Sequence, residues 1–285
     1  MKEIKNERFG EERALYGIKD AVIIDCSFAG EEDGESALKE ASHFELRNCF
    51  MDLRYPLWHD TFVVLDKVIM TDKCRAALWY TSHVEIKNSE LLGIKAVREC
   101  NDIELVDTKI VSPEFGWRSN NIYGKNIDVE GEYLFFEAKR LNLKKMEFKG
   151  KYSFQYVEDM LIEGSNLDTK DAFWHSKNVT VKNSVLKGEY LAWYSENLTL
   201  INCKIIGTQP LCYCKNLKLL DCEMIDTDLA FEYSDVEASI KGSIVSVKNP
   251  KSGTIMADDI KEIILTEDKK YPSLANIKIR EKVHS

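Results

Sequence analysis

The sequence predicts an all-β fold, a right-handed single-stranded parallel β-helix of about 12 coils with a repeat of about 19 residues. The segments that begin at Ala172 and Leu191 match along their length at a fixed offset. Each repeat carries short runs of alternating apolar residues, which are typical of β-strands. The tryptophans keep the same offset or multiples of it: Trp79, Trp117, Trp174 and Trp193, with Trp58 joining if two residues are inserted.

Each coil is expected to hold three short strands. In one repeat Leu198 and Leu200 form one apolar patch, and Cys203 and Ile205 form the next, with polar Asn202 between them. A third patch follows a Gly- or Lys-containing turn. Three strands per repeat distinguish a β-helix from a leucine-rich repeat, because half of a leucine-rich repeat is commonly helical.

Stacked strands should place like residues directly above like residues at roughly 4.8 Å. Two apolar columns are therefore predicted to fill the interior, for example Val84, Ile103 and Ile122, and two residues further on Ile86 and Leu105. Asn and Asp tolerate left-handed turns and can bond along the axis, so two corner ladders are predicted to be structural. Their members are Asn88, Asp107, Asn126, Asn183, Asn202 and Asp221 at one corner, and Asp102, Asn121, Asp159, Asn178, Asn197, Asn216 and Asp235 at the other.

The eight cysteines show no spacing typical of a metal site, so neither a metal nor another cofactor is predicted. Free and mostly buried thiols in a reducing compartment are expected. Cys203 and Cys222 share an interior column, which favours stacked thiols over a designed disulfide.

The composition of the chain excludes some classes of binding partner. The net charge of -9, with no Lys/Arg cluster longer than a pair, argues against nucleic acid or an anionic membrane as partner. Residues 1–20 lack an apolar signal core, and no long apolar run follows, so we expect a soluble cytoplasmic protein.

One domain over 1–285 is predicted, with an N-terminal cap at 1–12, coils over 13–265, a cap or tail at 266–285, and an exposed loop around Glu31–Glu35.

Repeats of the form Ala/Leu-x-Trp-Tyr/His-Ser-x-Asn, together with the closing segment Ser252–Ile264, resemble an uncharacterised, mainly bacterial family of single-stranded right-handed β-helix proteins. The resemblance places that family in the pectin-lyase-like superfamily and covers almost the whole chain. It implies the fold and no established activity. The lyase and hydrolase signatures of that superfamily are not reproduced, and the Asp258-Asp259 pair is interpreted as a feature of the last coil.

The orientation of the tryptophan column is the main open question from the sequence. The position before each tryptophan is apolar and the position two after it is mostly small, so we predict that both face inward. The tryptophans and the residues that follow them then face outward. Strict strand alternation favours the opposite, with the tryptophans stacked in the core. Arg98 and Gln155 occupy the same column, and a dry core would have to satisfy their polar groups.

The column after the tryptophans combines aromatic and titratable residues, which suits a glycan because sugars stack on aromatic rings and bond to polar groups. The predicted ligand-binding residues are Trp58, Trp79, Trp117, Tyr156, Trp174, His175, Trp193 and Tyr194. Glu99 and Glu137, about two coils apart, approach the separation of an inverting glycosidase pair. Arg118 lies between them, so a salt-bridged ladder is the favoured interpretation. Glu99, Arg118, Glu137 and His175 are kept as catalytic candidates.

Two functions remain open at this stage. The first is binding, rather than cleavage, of a polysaccharide along the aromatic face. The second is a structural or assembly role, in which the same face forms a homo-oligomer or partner interface.

Overall fold

A computed structural model describes residues 1–30 and 34–281 as an all-β parallel solenoid of about 14 turns with a spacing near 19 residues. The predicted fold class is confirmed. The turn count exceeds the predicted one because both ends also pair into the sheet, Lys2–Lys5 with Lys19–Ile24 and Asn276–Ile279 with Ser252–Ile264. A capping role for these ends stays a prediction, and the core of the predicted loop, residues 31–33, lies outside the described residues.

The chain divides into two compact units, Met1–Glu147 and Phe148–Ser285, called here the N-terminal and C-terminal units. The strands that begin in the N-terminal unit are β1 (Lys2–Lys5), β2 (Arg8–Phe9), β3 (Lys19–Ile24), β4 (Ser27–Phe28), β5 (Ser42–Arg47), β6 (Phe50–Met51), β7 (Leu57–Trp58), β8 (Thr61–Asp66), β9 (Ile69–Met70), β10 (Leu78–Trp79), β11 (Ser82–Lys87), β12 (Glu90–Leu91), β13 (Val97–Arg98), β14 (Asn101–Val111), β15 (Asn120–Glu132) and β16 (Lys139–Lys151). Those of the C-terminal unit are β17 (Glu158–Glu163), β18 (Asn166–Asp168), β19 (Lys177–Lys182), β20 (Val185–Lys187), β21 (Glu196–Ile201), β22 (Lys204–Ile206), β23 (Leu217–Ile225), β24 (Asp235–Lys248), β25 (Ser252–Ile264) and β26 (Asn276–Ile279).

In the N-terminal unit, parallel pairing joins three sets of strands. The longest set runs β1, β3, β5, β8, β11, β14 and β15. A second set runs β2, β4, β6, β9, β12 and the later part of β14. The third is the short sheet β7, β10, β13, which carries Trp58 and Trp79.

In the C-terminal unit, β17, β19, β21, β23, β24, β25 and β26 pair in parallel order. β18, β20 and β22 pair beside them and meet the later part of β23. The register shifts between β23 and β24, where Leu219 pairs with Ala238 and Cys222 with Ile240. The repeat therefore changes length in the last turns.

The predicted interior columns form the core of both units. Val84, Ile103 and Ile122 lie in register and are 3%, 3% and 2% exposed. Val179 and Leu198 are likewise paired and buried in the C-terminal unit. Apolar burial of this kind is the main stabilising term of a solenoid, since each turn covers the apolar face of its neighbour.

The predicted corner ladders are also present. Asn178 Nδ2 donates to Asp159 Oδ1, and Asn197 and Asn216 each donate to the amide oxygen one turn earlier, over 2.9, 2.9 and 2.8 Å. These four corner residues have positive φ, with 60°, 53°, 55° and 49° in chain order. Asn and Asp accept this left-handed conformation at low cost, which is why they recur there.

All eight cysteines are buried and carry free thiols.

Among residues 1–30 and 34–281, no helix is long and apolar enough to span a membrane.

Candidate functional site

A recurrent left-handed residue positions the tryptophan column. The residue after a tryptophan has a left-handed backbone in every case: His59 (61°), Tyr80 (54°), Arg118 (52°), His175 (56°) and Tyr194 (61°). Trp58 and Trp79 end the short strands β7 and β10, whereas Trp174 and Trp193 lie in turns, so the third strand expected in each coil is absent from these two repeats. In both settings the left-handed residue lets two successive side chains point away from the core. Phe173 and Ser176 are buried on either side of half-buried Trp174 and exposed His175. The tryptophans therefore face outward.

The two tryptophans of the C-terminal unit brace adjacent turns. Trp174 and Trp193 stack with ring centroids 5.3 Å apart and planes at 2°. Their indole Nε1 groups donate to the backbone carbonyls of Tyr190 and Gln209 over 2.7 and 2.8 Å. The Tyr213 ring also meets Trp193, at 5.3 Å and 72°. The indole N–H groups and much of the ring faces are thus used within the protein.

The next column is a row of adjacent aromatic rings, which we call the tyrosine ladder (Tyr156, His175, Tyr194, Tyr213 and Tyr233). Centroids of its first four rings are separated by 4.8, 5.0 and 4.7 Å, with interplanar angles of 7°, 6° and 10°. Tyr156 and Tyr194 are 48% and 47% exposed. Since the rings cover each other's faces, the ladder presents mainly ring edges, phenol hydroxyls and an imidazole to solvent.

Tyr233 belongs to the ladder, although a strict repeat of 19 would put Glu232 there. Each ladder N–H donates to the carbonyl of the residue just before the next ladder member: Tyr156 to Trp174, His175 to Trp193, Tyr194 to Cys212, and Tyr213 to Glu232. Tyr233 also has positive φ, 56°. The one-residue change in repeat length hid this position, and the tyrosine next to the expected one was the only signal in the sequence.

Parallel stacking ends at Tyr213, and a cleft lies beside the tilted ring of Tyr233. The Tyr213 and Tyr233 planes are tilted by 47° and the Tyr233 and Tyr271 planes by 86°. A cavity of about 240 Å³ lies here, lined by residues that include Tyr194, Tyr213, Lys215, Tyr233, Asp235, Lys251, Lys270 and Tyr271. Of these residues, Tyr194 belongs to the predicted ligand-binding set and Asp235 to a predicted structural corner. Lys270 and Tyr271 could not be assigned from the repeat, because they follow the last recognisable coil.

In the N-terminal unit an arginine replaces one ring of the tryptophan column. The Arg98 guanidinium carbon lies 5.0 Å from the ring centroids of both Trp79 and Trp117. Its side chain is 15% exposed and reaches Glu114 and Glu99 at 3.6 Å each. A planar cation can lie between two aromatic faces, so Arg98 continues the stack and its charge is compensated.

The column beside it, the mixed ladder, consists of His59, Tyr80, Glu99, Arg118 and Glu137. His59 and Tyr80 stack at 5.1 Å. Arg118 Nε donates to Glu137 Oε2 over 2.6 Å, and the hydrogen bond with Glu137 raises the pKa of Arg118. Half of the salt-bridged ladder favoured from the sequence is therefore present, whereas the Glu99 carboxylate lies 3.6 Å from Arg98 Nε in the adjoining column. Glu137 is engaged in an ion pair, and a catalytic role for Glu99, Arg118 and Glu137 stays a prediction.

Burial favours the uncharged forms of two ladder residues, His175 and Tyr213. Burial lowers the pKa of His175, which favours the neutral imidazole. Burial, and then the charge of Glu232, raises the pKa of Tyr213 to about 12. A neutral imidazole has one donor and one acceptor nitrogen, and a phenol both donates and accepts.

Asp60 is a buried acid that the sequence analysis did not single out. It occupies the inward column two residues after Trp58 and is 1% exposed. The Ala41 N–H donates to its Oδ1 over 2.9 Å, while Oδ2 has no partner within the described chain. Burial raises the pKa of Asp60 to about 8.

Across residues 1–30 and 34–281, no cluster of three or more His, Cys, Asp or Glu side chains is arranged to hold a metal ion. The predicted ligand-binding residues fall into two sets, one in each unit: Trp58, Trp79 and Trp117, and Tyr156, Trp174, His175, Trp193 and Tyr194. Their role in binding stays a prediction.

Solved structures that the chain resembles include PfbA, a surface adhesin of Streptococcus pneumoniae, at 10% identity over 91% of this chain and 82% of that chain, with a TM-score of 0.46. The mannuronan C-5 epimerase AlgE6 A-module of Azotobacter vinelandii matches at 9% identity over 97% and 87% of the two chains, with a TM-score of 0.36. Likenesses this distant carry no inference about activity. No curated protein matches the chain in sequence.

Membership of the pectin-lyase-like superfamily stays a prediction at these scores. The family resemblance itself is confirmed. A family model covers nearly the whole chain, residues 2–278, and the chain belongs to the family described as "Protein of unknown function (DUF3737)".

Proposed function

We propose that this protein binds a carbohydrate chain along the tyrosine ladder of its C-terminal unit. The observation that carries the proposal is a stacked row of aromatic side chains, nearly half-exposed at Tyr156 and Tyr194, with polar atoms on the outward edges. Such a row combines apolar ring edges with regularly repeated hydrogen-bonding groups. Sugar rings also combine apolar C–H groups with hydroxyls.

The regular spacing suits an extended polymer. The first four ladder rings, Tyr156 to Tyr213, recur every 4.7 to 5.0 Å, and a phenol or imidazole can donate or accept a hydrogen bond. A glycan lying along the ladder would meet equivalent polar groups at successive turns. Many weak and equivalent contacts would then add along the chain.

Stacking also lowers the entropic cost of binding. Each inner ring is held between two neighbours, as Tyr194 is between His175 and Tyr213, so its rotamer is fixed before a ligand arrives. Immobilising a free side chain on binding costs about 0.5–1.5 kcal/mol. In this proposal Trp174 and Trp193 support the ladder from the adjoining column instead of offering free faces for sugar stacking.

The test is calorimetric titration of the full chain with cellohexaose and maltohexaose. We expect binding to one of these probes, weakened about fivefold to tenfold in Tyr194→Ala and in His175→Ala, because one aromatic contact contributes about 1 kcal/mol. Tyr123→Ala, on β15 of the N-terminal unit, is the matched control and should bind like the wild type. No binding by the wild type, or an equal loss in the control, would reject the proposal.

The same variants test the assembly alternative. Sedimentation velocity of the wild type and of Tyr194→Ala compares their association states. An oligomer that dissociates in Tyr194→Ala would make the ladder a protein interface and contradict carbohydrate binding on that surface.

A further inference from the structure

The cleft at the end of the tyrosine ladder is built by the C-terminal segment. This segment is fixed to the preceding turns by hydrogen bonds from Lys270 N–H to Tyr233 Oη (3.0 Å), from Leu274 N–H to the Lys251 carbonyl (2.9 Å) and from Ser273 Oγ to the Pro250 carbonyl (2.6 Å). These bonds place Tyr271 across the Tyr233 ring. The residues after β25 thus form one wall of the 240 Å³ cavity.

The cleft is locally basic although the chain is acidic overall. Lys215, Lys251 and Lys270 line it, and the single carboxylate in the lining is Asp235. That carboxylate already accepts hydrogen bonds from Ser252 Oγ and, at 3.3 Å, from the Asn216 N–H. Among the described residues, none of the three lysines forms an ion pair with a carboxylate. The local excess of positive charge stands against a net charge of -9 for the chain.

The lysines flank an aromatic surface. The ammonium groups of Lys251 and Lys270 lie 5.4 and 5.2 Å from the Tyr271 ring centroid. A ligand in the cleft would therefore meet Tyr213, Tyr233 and Tyr271 through its apolar part and the ammonium groups through its charge. This combination fits a sugar that carries an anionic substituent.

The presence of lysines, rather than arginines, indicates which kind of anion the cleft prefers. Arginine presents a planar fork that matches a carboxylate, whereas lysine is a compact charge with three rotatable donors. All three cations of this cleft are lysines. Three separate ammonium groups can bond to different oxygens of a tetrahedral sulfate or phosphate, so the cleft favours such an ester over a planar uronate.

We propose that the cleft binds the sulfate or phosphate ester of a modified sugar at the end of a glycan that lies along the tyrosine ladder. The inference rests on the proposed function, because the ladder supplies the surface for the rest of the chain. It adds an anionic subsite and a class of ligand.

Calorimetry of the full chain with small probes tests the cleft alone. The probes are glucose 6-phosphate, glucose 6-sulfate, glucuronate, glucose and inorganic phosphate. We expect the two esters to bind at least tenfold more tightly than any of the other three, with affinity falling as salt rises. Lys251→Gln and Lys270→Gln should each weaken ester binding about tenfold, since each removes one charge-assisted contact. Lys218→Gln, an exposed lysine on β23, is the matched control.

Each alternative result has a defined meaning. Glucuronate binding as tightly as the esters would reject the preference for a tetrahedral ester, and inorganic phosphate binding equally well would reject recognition of the sugar. Unchanged ester affinity in both lysine variants would reject the cleft as the site. His175 lies on the ladder and is not among the cleft residues, so loss of hexasaccharide binding in His175→Ala with intact ester binding separates the two proposals. If esters bind and hexasaccharides do not, the proposed function is rejected and only the anionic subsite in the cleft remains supported. If hexasaccharides bind and esters do not, only the subsite is rejected.

Discussion

Trp174 and Trp193 lie face to face, 5.3 Å apart and within 2° of parallel, one turn of the solenoid from each other. Each also closes a hydrogen bond from its indole to the backbone of a later turn. The stacked rings and the indole hydrogen bonds both connect adjacent turns of the solenoid. The tryptophan column is therefore expected to contribute more to stability than to direct ligand contact.

Two substitutions of Trp193 separate the contribution of its hydrogen bond to stability from that of its stacked ring. Trp193→Phe keeps an aromatic ring but loses the hydrogen bond to the Gln209 carbonyl, so we expect the free energy of unfolding to fall by about 1 kcal/mol. Trp193→Ala also loses the stack and should cost about 3 kcal/mol. Urea unfolding followed by circular dichroism measures both. Equal stability of all three proteins would contradict a bracing role.

Arg98 is expected to stabilise the N-terminal unit through Trp79 and Trp117. Arg98→Met removes a cation held between two rings, and we expect a loss of about 2 kcal/mol in the free energy of unfolding. Arg118→Met, on the exposed mixed ladder, should have little effect because a solvated ion pair contributes little. Thermal denaturation of the two variants provides the comparison. A larger loss in Arg118→Met than in Arg98→Met would contradict this assignment.

The corner ladder can be dissected at Asn197, which bonds both Asn178 and Asn216 and has a φ of 55°. Asn197→Gly keeps the left-handed backbone at low cost but loses the side-chain bonds. Asn197→Ala loses the bonds and adds the cost of a left-handed residue with a Cβ atom, about 1 kcal/mol. We therefore expect Asn197→Ala to be less stable than Asn197→Gly in chemical denaturation. A more stable Asn197→Ala would contradict the left-handed conformation assigned to this corner.

Asp60 predicts a specific dependence of stability on pH. Its pKa is about 8 when folded, whereas an unfolded aspartate titrates near 3.9, so between these values the unfolded chain has released a proton that the folded chain retains. The contribution of this residue to stability is complete below about pH 4 and declines as pH rises to about 8, by at most about 1.4 kcal/mol per pH unit.

Asp60→Asn removes this titration while keeping an oxygen that can accept the Ala41 N–H. The variant should match the wild type near pH 4 and exceed it in stability near pH 8. Denaturation midpoints across this range measure the difference between the two proteins. A difference that does not change with pH would show that Asp60 does not retain its proton in the folded state.

Most of the fold could be predicted because a solenoid repeats its own pattern. The spacing of apolar residues such as Val84 and Ile103, and the recurrent asparagines at the corners, determine which positions stack. The outward orientation of Trp174 was harder to predict, because it depends on a positive φ at His175, a bulky residue for which that conformation is uncommon.

The cleft could not be predicted for two physical reasons. A one-residue change in repeat length moves Tyr233 into the ladder position, and periodicity gives no sign of such a change inside one turn. Lys270 and Tyr271 reach the cleft through non-repetitive hydrogen bonds, such as the one that Lys270 N–H donates to Tyr233. Contacts of this kind leave no pattern in the sequence.

Side-chain NMR during a glycan titration tests the role of the tyrosine ladder most directly. Ring resonances of the 12 tyrosines and indole N–H signals of the 5 tryptophans can be followed together in selectively labelled protein. With cellohexaose or maltohexaose, whichever binds, we predict shifts at Tyr156, Tyr194 and Tyr213, while the hydrogen-bonded indole N–H signals of Trp174 and Trp193 stay in place. Unchanged ladder resonances at saturating glycan, with shifts at the indoles or at Tyr123, would contradict the assignment of the ladder as the binding surface.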